Sequence, residues 1–207
     1  MLFKNLLKLT SLIFLPLIYS NANALSIGLY GTAANSGTAE WDDYYNSCFF
    51  SSCSTPSSFE TDIDQKEFGF VLDTSTARNK LYSYRLQVGL VDVSYDELDF
   101  DGVVFTNTFG FGVVRNENFR FWIGPQVSLK ILDSKNFNDY ELDTLGLGVA
   151  TGFNFHINSV VSLTAEAGLR HGFGVAEYNS YYGDEYDITE ERFFLNVGIL
   201  FRFGDSY

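Results

Sequence analysis

Residues whose types could do chemistry are few in this chain. It holds two histidines, His156 and His171, and two cysteines, Cys48 and Cys53. Hydrolysis through a serine needs a His base within hydrogen-bond reach of the nucleophile. His171 stands in LRHGFG, where a His–x–Ser spacing would put serine at the position of Phe173. His156 precedes Ile157-Asn158-Ser159 in a short turn. His171 therefore reads as an interfacial residue rather than a base. Cys48 and Cys53 lie in CFFSSC with no histidine nearby. Zinc normally takes four ligands, so the pair reads as a small disulfide loop of an oxidising compartment. Glu97-x-Asp99-x-Asp101-Gly102 matches the first half of a calcium loop, but Thr108 stands where the bidentate Glu belongs. That segment reads as a solvated hairpin tip. No catalytic residues, metal site or cofactor follow from these groups.

The elements that would position such residues have a period of two. From 119 to 131 the odd positions are Phe119, Phe121, Ile123, Pro125, Val127, Leu129 and Ile131, interleaved with Arg120, Trp122, Gly124, Gln126, Ser128 and Lys130. Successive side chains of a strand point to opposite faces, so one face is oily and the other polar or small. Pro125 cannot donate its ladder hydrogen bond and suggests a bulge. The same alternation recurs at 82–90, 105–113, 145–155, 161–170 and 193–203, and more weakly at 26–33 and 67–73. That makes eight strands, each near the roughly 9–11 residues that cross a bilayer at a tilt. The expected fold is all-β: an eight-stranded antiparallel up-and-down transmembrane β-barrel.

Connections alternate between long (34–64, 92–101, 132–143 and 174–191) and tight (74–80, 115–118 and 157–159), which puts every long loop at one end. All but Glu67, Asp73, Glu117, Glu166 and Asp205 of the 26 acidic residues fall in the long loops. Against 26 Asp+Glu the chain has only 13 Lys+Arg, so a nucleic-acid partner is disfavoured. Near the tight turns the oily face carries paired rings: Tyr82 and Tyr84, Phe109 and Phe111, Phe119 and Phe121, Phe153 and Phe155, Phe201 and Phe203. Rings at one level form an interfacial girdle, so the oily face looks outward into lipid, at the periplasmic boundary. A soluble lipocalin-like barrel would instead turn its oily face inward. The polar face then lines a narrow lumen, where Glu67, Arg85, Arg120, Lys130, Glu166, Arg170 and Arg202 form an ion-pair network. Burying such charges unpaired costs several kcal/mol each, so Glu67 and Glu166 should each meet a lumen Arg or Lys.

Residues 1–24 have the lysines, apolar stretch and Ala22-Asn23-Ala24 end of a cleaved signal peptide, leaving 25–207 as the barrel domain. This barrel pattern, closing on RFFLNVGILFRF (192–203), resembles the small eight-stranded outer-membrane proteins, the group of OmpA-type transmembrane domains and opacity-type surface proteins. The resemblance implies a bacterial outer-membrane location and a terminal aromatic read by the outer-membrane assembly machinery, either Phe203 or Tyr207. It also implies contact with outer-membrane lipid and lipopolysaccharide. Fold alone does not fix function. The expected role is non-catalytic: a monomer serving envelope structure and surface contact through acidic, Tyr-rich loops. The alternatives are an enzyme modifying lipid A or phospholipid, and a narrow-lumen transporter of small solutes.

Overall fold

The computed structural model describes residues 25–43, 58–74, 81–96, 98–116, 118–136, 140–178 and 185–203. The leader 1–24, Cys48, Cys53 and Tyr207 lie outside them. Eight strands run in chain order: β1 (Leu25–Asp43), β2 (Ser58–Thr74), β3 (Tyr82–Tyr95), β4 (Leu98–Arg115), β5 (Phe119–Ser134), β6 (Tyr140–His156), β7 (Val161–Tyr178) and β8 (Glu185–Phe203). Each pairs antiparallel with its chain neighbours, and β8 pairs with β1 to close an up-and-down barrel.

The strands are longer than the alternation suggested, from 14 residues in β3 to 19 in β1 and β8. Segments expected as long loops are, in their described parts, largely strand. The clearest case is 92–101, where β3 continues to Tyr95 and β4 resumes at Leu98, paired directly opposite it. Asp96 takes φ 50° in the turn between them, a left-handed conformation that Asp tolerates better than most residues. At the other end, asparagines hold the described parts of two tight connections. Asn158 Oδ1 accepts the backbone N–H groups of Val160 and Val161, both at 2.8 Å, and Asn116 Oδ1 accepts that of Phe119 at 2.7 Å. A side chain that satisfies turn amides in this way fixes a short connection.

The extra strand length exists because the oily face changes sides. On β3, Tyr82, Leu86, Val88 and Leu90 face outward while Arg85, Gln87 and Gly89 face in. Past Leu90-Val91 the pattern inverts: Asp92 and Ser94 face outward, and Val91, Val93 and Tyr95 are buried inside. Val103-Val104 on β4 and Ile131-Leu132 on β5 mark the same switch. The lower barrel is thus oily outside and polar inside. The upper barrel encloses an apolar cluster of Trp41, Ile63, Val93, Tyr95, Phe100, Leu132, Leu142, Ile188 and their neighbours.

Three irregularities interrupt the ladders. Shifts between Gly31 and Ser36 toward β2, and between Thr32 and Ala34 toward β8, mark a bulge in β1. There the Thr32 hydroxyl replaces a lost backbone partner by accepting Glu67 N–H at 2.9 Å. The bulge expected at Pro125 is absent: the β4–β5 ladder skips the residues opposite Pro125 and Gly124 and resumes in the same register. A shift does occur lower down, between Gly112 and Val114. The closing seam depends on Gly28, opposite Leu200, where a Cβ would collide with the Ile199 carbonyl and sit 2.9 Å from Leu200 Cα. Gly28→Val is expected to cost about 3 kcal/mol by overpacking against main chain that cannot give way. Loss of the heat-modifiable gel shift that marks a closed barrel would report it.

Candidate functional site

Inward parity gathers the lumen charges into one continuous column. At its foot Arg85 donates to Asp73 Oδ2 at 2.7 Å and to Glu166 Oε2 at 3.0 Å. It also donates to Asn154 Oδ1 and the Thr164 hydroxyl, while its guanidinium lies 4.9 Å from the Trp122 ring centroid. Glu166 accepts in turn from Gln126 Nε2 at 2.7 Å, and Gln126 Oε1 accepts from Arg170 at 2.6 Å. Arg170 packs 4.8 Å from the Phe194 ring and lies 3.9 Å from Glu67. Above this, Gln65 donates to Glu67 and accepts from Arg192. Lys130 meets both oxygens of Glu190, at 2.8 and 2.9 Å, and the Tyr95 hydroxyl donates to the same carboxylate beneath the apolar cluster.

Glu67, Arg85, Lys130, Glu166 and Arg170 are therefore brought together, each 5% exposed or less. Arg120 is buried near the foot of the lumen, on the same strand as Trp122. Arg202 is placed differently: it is half-buried at the lower mouth, where its guanidinium donates to the Asn158 carbonyl. Sequence reading left out Asp73, Glu190 and Arg192. Parity could have found all three, since Asp73 is in step with Glu67, and Glu190 and Arg192 with Asn196. Assigning 174–191 to a loop hid Glu190.

The ten ring positions all lie on the outward face of the lower barrel. Tyr82, Phe111, Phe153, Phe155, Phe201 and Phe203 are exposed, and Phe109, Phe119 and Phe121 partly so. Tyr84 departs from the set at 6% exposure. Its hydroxyl donates to Asn107 Oδ1, so a polar amide on the oily face is satisfied within the wall. Neighbouring rings interlock, with centroids of Tyr82 and Phe111 5.3 Å apart and of Phe119 and Phe153 5.8 Å apart.

The two histidines differ in setting. His171 faces outward near the top of the oily belt, 3.4 Å from Glu191 and edge-on to Phe173. His156 does have a serine partner that sequence spacing missed, because Ser162 lies directly across the β6–β7 ladder. His156 Nδ1 and Ser162 Oγ are 2.8 Å apart. Ser162, however, has 0% exposure.

The upper outer wall carries carboxylates in register. Lys66 on β2 lies opposite Asp92, Asp92 opposite Asp101, and Asp101 opposite Asp133. The row continues through Glu141 and Glu177 to the position of Glu185 on β8. Like charges directly opposite each other weaken a sheet, so this collar belongs in water. Lys135 relieves one end, donating to Asp92 at 2.6 Å; the contact holds its ammonium above the usual lysine range. Ser94 and Asn136 donate to Asp99 and hold that carboxyl below the usual range.

No protein-family model and no curated protein sequence matches the chain. Solved structures do. OprG from Pseudomonas aeruginosa aligns with a TM-score of 0.55 at 13% identity, covering 89% of this chain and 98% of that one. The outer membrane protease OmpT from Escherichia coli aligns at 0.46 and 7% identity, covering 87% and 97%. Ail, the attachment invasion locus protein of Yersinia pestis, aligns at 0.40 and 13%, covering 88% and 99%. At such identities the likeness is one of fold: this chain has the architecture of the small eight-stranded outer-membrane β-barrels.

Proposed function

We propose that the protein is a non-catalytic barrel of the bacterial outer membrane, serving envelope structure and contact with the surroundings through its acidic upper end. The observation that carries this reading is the reversal of faces along the strands. A belt bearing Phe68, Phe70, Leu90, Val113 and Leu169, each more than 60% exposed, suits hydrocarbon. The collar above it, with Asp92, Asp101, Asp133, Glu141 and Glu177 turned outward, suits water. Outer-membrane lipid and lipopolysaccharide are the partners of the belt, and the outer-membrane assembly machinery that of the closing strand.

In its described part the lumen holds an ion-pair column and, above it, an apolar cluster, in keeping with an eight-stranded interior filled by side chains. Purified protein in planar bilayers is therefore expected to give no steady single-channel conductance, and reproducible unitary currents would favour the transport reading instead. Recovery of the protein with inner-membrane or soluble fractions would overturn the location. Release of fatty acid from lipid A, abolished by His171→Ala, would overturn the non-catalytic role.

A further inference from the structure

Among the described residues, the outward-facing cations above the oily belt are Lys66 and Lys135, and both line a single groove of ≈ 470 Å³ on the outer wall of β2, β3 and β4. Phe68 and Leu90, 61% and 68% exposed, form its lower side; Asp92 and Asp101 complete its upper side. Lys135 is already committed to Asp92. Lys66 and Asp101 form no hydrogen bond or ion pair among the described residues. The groove therefore offers an ammonium and a carboxylate that no hydrogen bond holds among the described residues, at the level where oily wall gives way to charged wall. They stand two strands apart, about 10 Å at the backbone, a gap that the long Lys66 side chain narrows.

We propose that this groove seats the headgroup of a zwitterionic phospholipid. The phosphate is held at Lys66, the ammonium at Asp101, and an acyl chain lies on Phe68 and Leu90. The inference rests on the belt lying in lipid. A purely anionic headgroup fits worse, because Asp92 faces Lys66 across the ladder and Asp101 stands beside Lys135. A purely cationic ligand would meet two lysines. The paired charges of a phosphoethanolamine or phosphocholine group match both groups at once.

Native mass spectrometry of the full chain in maltoside micelles, titrated separately with phosphatidylethanolamine and phosphatidylglycerol, tests this. One phosphatidylethanolamine is expected to be retained about fivefold more strongly than phosphatidylglycerol, and Lys66→Glu and Asp101→Lys should each reduce that retention about fivefold. Asp101→Asn should narrow the preference by admitting the anionic lipid. Both positions are exposed, and a heat-modifiable gel shift identifies the variants that have folded. Equal retention of the two lipids, or retention in folded variants indistinguishable from the original, would refute the groove assignment. A protein that stayed dispersed after detergent removal would instead defeat the membrane reading on which it rests.

Discussion

Replacing Arg85 with methionine is expected to destabilise the barrel by about 3–5 kcal/mol, the cost of leaving buried charge without its partner. The substitution strands two carboxylates, Asp73 and Glu166, whose side chains are 3% and 1% exposed. It also strips Asn154 and Thr164 of their donor. Methionine fills much of the volume, so the loss reports charge rather than cavity. The control removes one charge of each sign: Arg85→Met together with Glu166→Gln should recover part of the stability, because only Asp73 is then left without its arginine. Urea unfolding in lipid vesicles measures both. Trp122, beneath the Arg85 guanidinium, supplies the fluorescence. A single variant as stable as the original would mean that the column carries no structural weight.

Trp41→Ala should cost about as much, but in a different place. Trp41 is 2% exposed, lies edge-on to Tyr95 with centroids 5.4 Å apart and stacks against Phe59. Truncating such a residue to alanine costs about 3–5 kcal/mol. The apolar cluster it belongs to is confined to the upper barrel, so the loss should appear as local opening rather than global unfolding. Amide exchange at Val93, Phe100 and Leu132 is expected to accelerate by two to three orders of magnitude, roughly the equivalent of that free energy. Trp122 emission should stay unchanged. Since the chain has only these two tryptophans, one in each half, the two substitutions read the two halves separately.

What could be read from the residues stops where the oily phase changes. Alternation in 119–131 is unbroken, so strand, register and lumen-facing parity were all legible there. In β3 the doublet Leu90-Val91 breaks the alternation, and a broken pattern rich in Asp and Ser looks like a loop. It is still a strand, because each side chain keeps its side of the wall while the medium on each side changes. The acidic concentration was visible in the sequence, but not that much of it stands on paired strands. The lumen set was incomplete for the same reason, since Glu190 sits in a segment that looked like loop. His156 and Ser162 meet only through ladder pairing across a turn, and spacing along the chain carries no record of that.

The reversal of faces also constrains how the chain can fold. In water, a sheet rolled with its oily lower face inward would force Val91, Val93 and Leu132 outward and drive Asp92 and Asp133 into the interior. Rolling it the other way leaves Phe68, Phe70 and Leu90 in solvent. Neither cylinder is a stable misfolded endpoint, and a slip of one residue repairs neither half, since it turns every side chain over together. A boundary between hydrocarbon and water satisfies both ends at once. On the membrane reading proposed above, the edge of the bilayer is a folding requirement written into the strands.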